Sequence, residues 1–211
     1  MFGLGKIIRK TALVLGAVAV AALARPYIVG VDVSWVLEDE SLGAKYYDNG
    51  KQQDLFDILQ NHGINFIRVR NSCIGYAKNS YSGANSNVCW CDLEHTIALA
   101  KRIKAHNMGF FLDFHMSDTW ASIGHQDVPA SWAGKSNAEM GKLAYNHVKT
   151  TMDALMKAGL RPDMVQVGNE INSRVAGVSL SKTADFANII NSGVRAVRET
   201  DPSIKIVMQH G

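Results

Sequence analysis

The most constraining feature of this chain is an alternation. Short runs rich in β-branched and aromatic residues recur, and each but the last is followed by a longer stretch with apolar residues at helical spacing. The runs are Tyr27 to Ser34, Ile64 to Arg70, Gly109 to His115, Met164 to Val167 and Ile204 to Met208. Strands separated by helices pair in parallel, with the helices laid over the sheet. The fourth run continues into Gly168-Asn169-Glu170-Ile171, so an Asn-Glu pair stands at the carboxyl end of a buried strand. In parallel α/β folds that end carries the chemistry. Glu170 is therefore the first candidate catalytic group.

Five such strands predict an α/β fold of the (β/α)8 type, a TIM barrel truncated after about five strands. A doubly wound open sheet suits a length of 211 residues. It uses a Gly-rich phosphate turn after its first strand, and Val33-Ser34-Trp35-Val36 offers none. Helices are expected over Asp54 to His62, ending at Gly63, and over Leu93 to His106, capped by Asp92. A third opens on the capping box Ser136-Asn137-Ala138-Glu139, and a fourth runs from Ser181 to Asp201-Pro202. Asp48-Asn49-Gly50 signals a turn.

The first 24 residues stand apart. Lys6, Arg9 and Lys10 precede the small apolar run Thr11 to Ala24, which ends in Ala22-Leu23-Ala24. This pattern predicts a signal peptide over 1–24, followed by one domain over 25–211, and a secreted or periplasmic protein. The apolar run is shorter than the roughly 20 residues that span a bilayer, so no stable membrane association is expected after cleavage. The net charge of +3 equals the three leader bases, which leaves the mature part neutral and offers no nucleic-acid face. Cys73, Cys89 and Cys91 are disulfide candidates in an exported chain: Cys73 can pair with Cys89 or with Cys91, leaving the third free. Cys89-Trp90-Cys91 lacks the usual zinc spacing, so no metal site is expected.

Polar groups recur at the same end of four strands: Asp32 and Ser34, Arg68 and Arg70, Asp113 and His115, Asn169 and Glu170. Residues two apart on a strand share a face, so these pairs describe a polar pocket at the catalytic end. Asp113 also reads as a partner for Arg68, and His115 as a satisfied core histidine. Trp35, Trp90, Trp120 and Trp132 fall in loops after strands. Sugar rings stack apolar faces on such aromatics while their hydroxyls take Asn, Asp, His and Arg; packing of the loops onto the rim is the alternative. Glycoside hydrolysis uses one carboxylic acid to protonate the leaving oxygen and a second carboxylate to attack the sugar or activate water.

The blocks Gly30-Val31-Asp32-Val33-Ser34, Asn65-Phe66-Ile67-Arg68-Val69-Arg70, Asp113-Phe114-His115-Met116-Ser117-Asp118-Thr119-Trp120 and Val165-Gln166-Val167-Gly168-Asn169-Glu170-Ile171 occur in order. Together they resemble the endo-β-1,4-galactanases of glycoside hydrolase family 53, from about Tyr27 onward. The resemblance implies a barrel of the retaining glycoside hydrolase clan, with a plant cell-wall galactan or arabinogalactan as substrate and no cofactor. It implies Glu170 as general acid/base, with Asn169 and Arg68 lining the subsite at the cleaved bond. Asp113 and His115 line the pocket, and Trp120 and Trp132 contact substrate. Three segments depart from the family pattern at substrate-contact regions: Asn71-Ser72-Cys73-Ile74, Arg174-Val175-Ala176 and Met116. The family's nucleophile lies at the end of a seventh strand, so no residue here takes that role. The chain alone is expected to be inactive and to expose an open strand edge. A carbohydrate-binding barrel without catalysis, or a related β-glycanase acting on another polysaccharide, are the competing readings.

Overall fold

A computed structural model describes residues 27–72 and 89–210. The leader and Cys73 lie outside the described residues. Strand β1 (Gly30–Asp32) leads into a short helix α1 (Val36–Ser41) and a hairpin of β2 (Tyr46–Asp48) and β3 (Lys51–Gln53). Helix α2 (Leu55–Asn61), β4 (Phe66–Asn71), α3 (Leu93–Ala105), β5 (Gly109–Phe114) and α4 (Asn137–Lys157) follow. Then come β6 (Met164–Val167), a second hairpin of β7 (Arg174–Val175) and β8 (Val178–Ser179), α5 (Thr183–Thr200) and β9 (Lys205–Val207).

The main sheet is parallel, in the order β1-β4-β5-β6-β9. Spatial order follows chain order without reversal. That progression is the arc of a barrel; a doubly wound sheet reverses direction at a switch point. The polar residues land level with one another, because Asp32 pairs with Arg68, Arg70 with Asp113, and Asp113 with Gln166.

Alternation sorts the strands into two faces. Ile67, Val69, Phe110, Leu112, Phe114, Val165 and Val167 point toward the helices and join their apolar stripes in one core. Gly193 lets α5 approach the sheet, since a Cβ there would meet a Val167 methyl carbon at 2.7 Å. The other face carries Arg68, Arg70, Asp113 and Gln166 toward the carboxyl ends, with Phe66, Phe111 and Met164 below them.

The predicted helix signals act as expected at two starts. Asp92 accepts from the His95 amide, and Ser136 and Glu139 form a reciprocal capping box. The expected start at Ser181 is displaced: α5 begins at Thr183, Lys182 makes no side-chain cap, and the Ser181 hydroxyl bonds that of Ser179. Asn49 and Gly50, at φ 49° and 75°, close the β2–β3 hairpin, as Asn-Gly does in a type I′ turn. Ala176 and Gly177, at 46° and 77°, close the β7–β8 hairpin in the same manner.

Candidate active site

Arg68 occupies the centre of the strand ends. Its Nη1 donates to Asp32 Oδ2 at 3.0 Å; its Nη2 donates to Asp113 Oδ2 at 2.5 Å and Asn169 Oδ1 at 2.7 Å, with a longer approach to Gln209 Oε1 at 3.4 Å. One guanidinium on β4 thus gathers groups from β1, β5 and the segments leaving β6 and β9. A planar fork of fixed donors suits this work better than a point charge. Arg70 sits beside it, with Nε 3.1 Å from Asp32 Oδ2. Ser34 ties the same corner, donating its hydroxyl to Asp32 Oδ1 and accepting from the Arg70 amide.

Asp113 and His115 lie beneath this layer. Both side chains are fully buried. Ala121 N–H donates to His115 Nδ1 at 3.2 Å, which leaves the ring proton on Nε2, where it donates to Asp113 Oδ2 at 2.8 Å. His115 is therefore a link between the two. It orients Asp113 and fixes Ala121, whose carbonyl accepts from Asn169 Nδ2 at 2.7 Å. The expectation that Asp113 and His115 line the pocket is corrected to a supporting layer, because burial leaves neither with a face toward a ligand.

Glu170 emerges where β6 ends, and its backbone is unusual. Gly168 has φ 86° and Glu170 has φ 47°, in the left-handed region. For a residue with a Cβ this costs on the order of 1–3 kcal/mol. The carboxylate stays partly exposed, and Oε2 accepts from the Ile123 amide at 2.9 Å. Asp32 and Asp113 are each paired with arginine, whereas Glu170 has no cationic partner among the described residues. A partly exposed carboxyl so placed can meet a ligand, whereas the two arginine-bound carboxylates are engaged within the protein.

The aromatic residues divide. Trp120 is 43% exposed, lies under the Arg70 guanidinium at 4.6 Å and stacks on Trp35 with ring centres 6.0 Å apart. It stands where a sugar face could join the stack. Trp132 does not, being only 1% exposed in the short helical turn Ala130–Trp132 and packed into the core. The expected substrate contact at Trp132 is thus corrected to loop packing. Trp90 packs against His95 with ring centres 4.8 Å apart. Met116 is likewise buried, which corrects its reading as a substrate-contact position. In Arg174-Val175-Ala176 the last two are buried, and only Arg174 faces solvent.

Cys89 is disulfide-bonded, and Cys91 is free and buried, where burial pushes its thiol up. Among the described residues no group of His, Cys, Asp and Glu is arranged to hold a metal ion. Sequence reasoning passed over three glutamines. Gln126 donates to the carbonyls of Asn169 and Glu170, and Gln166 donates to Gln209 Oε1 at 2.9 Å. Glutamine carries no charge pattern that marks it; the position of Gln166 on the polar face of β6 was the one available signal.

With the geometry in place, similarity to known proteins is informative. The family described as Glycosyl hydrolase family 53 matches residues 28–210. An endo-beta-1,4-galactanase of Bacillus subtilis (strain 168) is 37% identical over 193 residues, covering 90% of this chain and 43% of the relative. An arabinogalactan endo-beta-1,4-galactanase of Cellvibrio japonicus (strain Ueda107) is 34% identical over 219 residues, covering 96% and 55%. Among solved structures, the Ignisphaera aggregans GH53 catalytic domain superposes with TM-score 0.79 at 34% identity, over 89% of this chain and 53% of that one. The chain spans about half the length of the curated relatives it matches. The family match, the barrel arc and the order of its strand-end motifs agree, and the chain belongs to glycosyl hydrolase family 53.

Proposed function

We propose that this chain is the acid/base half of a retaining β-glycanase acting on β-1,4-galactan or arabinogalactan. Glu170 protonates the glycosidic oxygen as the bond breaks and then, as carboxylate, draws a proton from the attacking water. Asn169 and Arg68 shape the subsite at the cleaved bond, and Trp120 stacks a sugar ring beside it. The observation that carries the reading is the placement of Glu170: a partly exposed carboxyl at a strand end, with no cationic partner among the described residues, beside an Asn–Arg pair. The names of the matched relatives support galactan as substrate.

The second carboxylate comes from outside these residues, in the part of the family barrel that this chain does not span. A basic, apolar start ending in Ala22-Leu23-Ala24 supports export. The test uses the purified 211-residue chain, alone and co-folded with the complementary carboxyl-terminal half of a family 53 relative. Alone it releases no oligosaccharide from galactan, and the assembled pair does. Hydrolysis by the chain alone, or none by an assembled pair of demonstrated 1:1 stoichiometry, contradicts the reading.

A further inference from the structure

We infer that Gln126 is a positioning residue that holds the backbone of Asn169-Glu170 in its left-handed kink and so aims the Glu170 carboxyl into the cleft. The inference rests on the reading of Glu170 as proton donor.

The kink needs a restraint. Glu170 has φ 47°, and a Cβ-bearing residue relaxes from that conformation unless neighbouring structure holds it. Among the described residues the carboxylate accepts a hydrogen bond from the Ile123 amide, which is a light tether for a flexible side chain. The stronger restraint acts on the main chain. Gln126 is 6% exposed, and its Nε2 donates to Asn169 O at 2.7 Å, to Ser122 O at 3.1 Å and to Glu170 O at 3.3 Å. A single amide thus bridges the end of β6 to the loop that also supplies the Ile123 amide.

That loop is itself made rigid. Ser122 and His125 exchange backbone hydrogen bonds at 2.7 and 3.0 Å, closing a tight turn with Ile123 at its tip. Asn169 adds a second bridge through Ala121 O. Gln126 therefore fixes both ends of the Ile123–Glu170 contact: the donor through Ser122, and the carboxylate's own backbone through the two carbonyls. A displacement of about 1 Å at a catalytic group can lower the rate on the order of a hundredfold.

The test compares Gln126→Leu with the unaltered protein in two measurements. In the full 211-residue chain, amide hydrogen exchange is followed residue by residue. The Ile123 amide should exchange at least tenfold faster in the variant, while Val165 and Val167 in β6 keep their protection. Uniform loss across the sheet, or unchanged Ile123 protection, overturns the proposal. In the assembled pair, kcat on galactan should fall about tenfold to a hundredfold with KM within twofold; a change confined to KM overturns it as well. Gln126→Glu keeps the side-chain length but replaces the donor by a carboxylate facing carbonyls, and should behave as Leu does; full activity there removes the donor from the argument. If the unaltered pair is inactive, the function reading fails while the exchange experiment still decides the positioning claim.

Discussion

The two faces of the same strands obey different rules. Toward the helices, β4, β5 and β6 present Ile67, Val69, Phe110, Leu112, Phe114, Val165 and Val167, all at most 1% exposed. Toward the cleft, the alternate positions present charge and amide groups bound to one another through Arg68. The first face is held by apolar burial, which is non-directional and tolerant of detail. The second is held by directional contacts that fail when one member is lost. Apolar burial therefore concentrates on one side of the sheet and the polar strand-end network on the other.

Breaking the outer face should have the largest effect. Phe114→Ala removes a fully buried ring and should cost about 3–5 kcal/mol, read as a lower denaturation midpoint with unchanged slope. On the cleft side the damage comes through charge. Arg68→Met strands the fully buried Asp113 without its cation and should cost about 3 kcal/mol, partly recovered by Asp113→Asn in the double variant.

A third test uses pH. His147 packs edge-on to Phe114 with ring centres 5.4 Å apart, its buried Nε2 has no hydrogen-bond partner among the described residues, and burial lowers its pKa to about 4. The unfolded ring titrates near its ordinary value, so below that value the unfolded state binds the extra proton and the fold loses stability. Between about pH 6.5 and 4 the loss should reach roughly 1–3 kcal/mol, and His147→Leu should flatten that limb of the Tm profile. The smallest effect belongs to Phe111→Ala on the half-buried cleft side, roughly 1 kcal/mol. A cost equal to that of Phe114→Ala would erase the distinction between the faces.

The sequence made the outer face legible because burial on both sides of a parallel sheet leaves continuous apolar runs. It made the strand-end polar groups legible as exceptions to those runs. What it concealed depends on contacts across the chain. The β2–β3 hairpin was foreshadowed by Asn49-Gly50, whereas β7–β8 turns on Ala176, a residue type without turn preference, seated at φ 46°. Trp132 and Met116 look like ligand contacts when read along the chain, yet they pack inward. His115 and Gln126 gained their roles only when the 116–133 loop folded back over β6.

The most direct test of the central claim, that Glu170 is the proton donor, is the leaving-group dependence of kcat/KM in the assembled pair. With Glu170→Gln, kcat/KM on galactan should fall a thousandfold or more, because the departing sugar oxygen needs a proton. On a dinitrophenyl galactoside, whose leaving group departs unprotonated, kcat/KM should stay within about tenfold of the unaltered protein. Equal losses on both substrates, or no loss on galactan, would contradict the assignment.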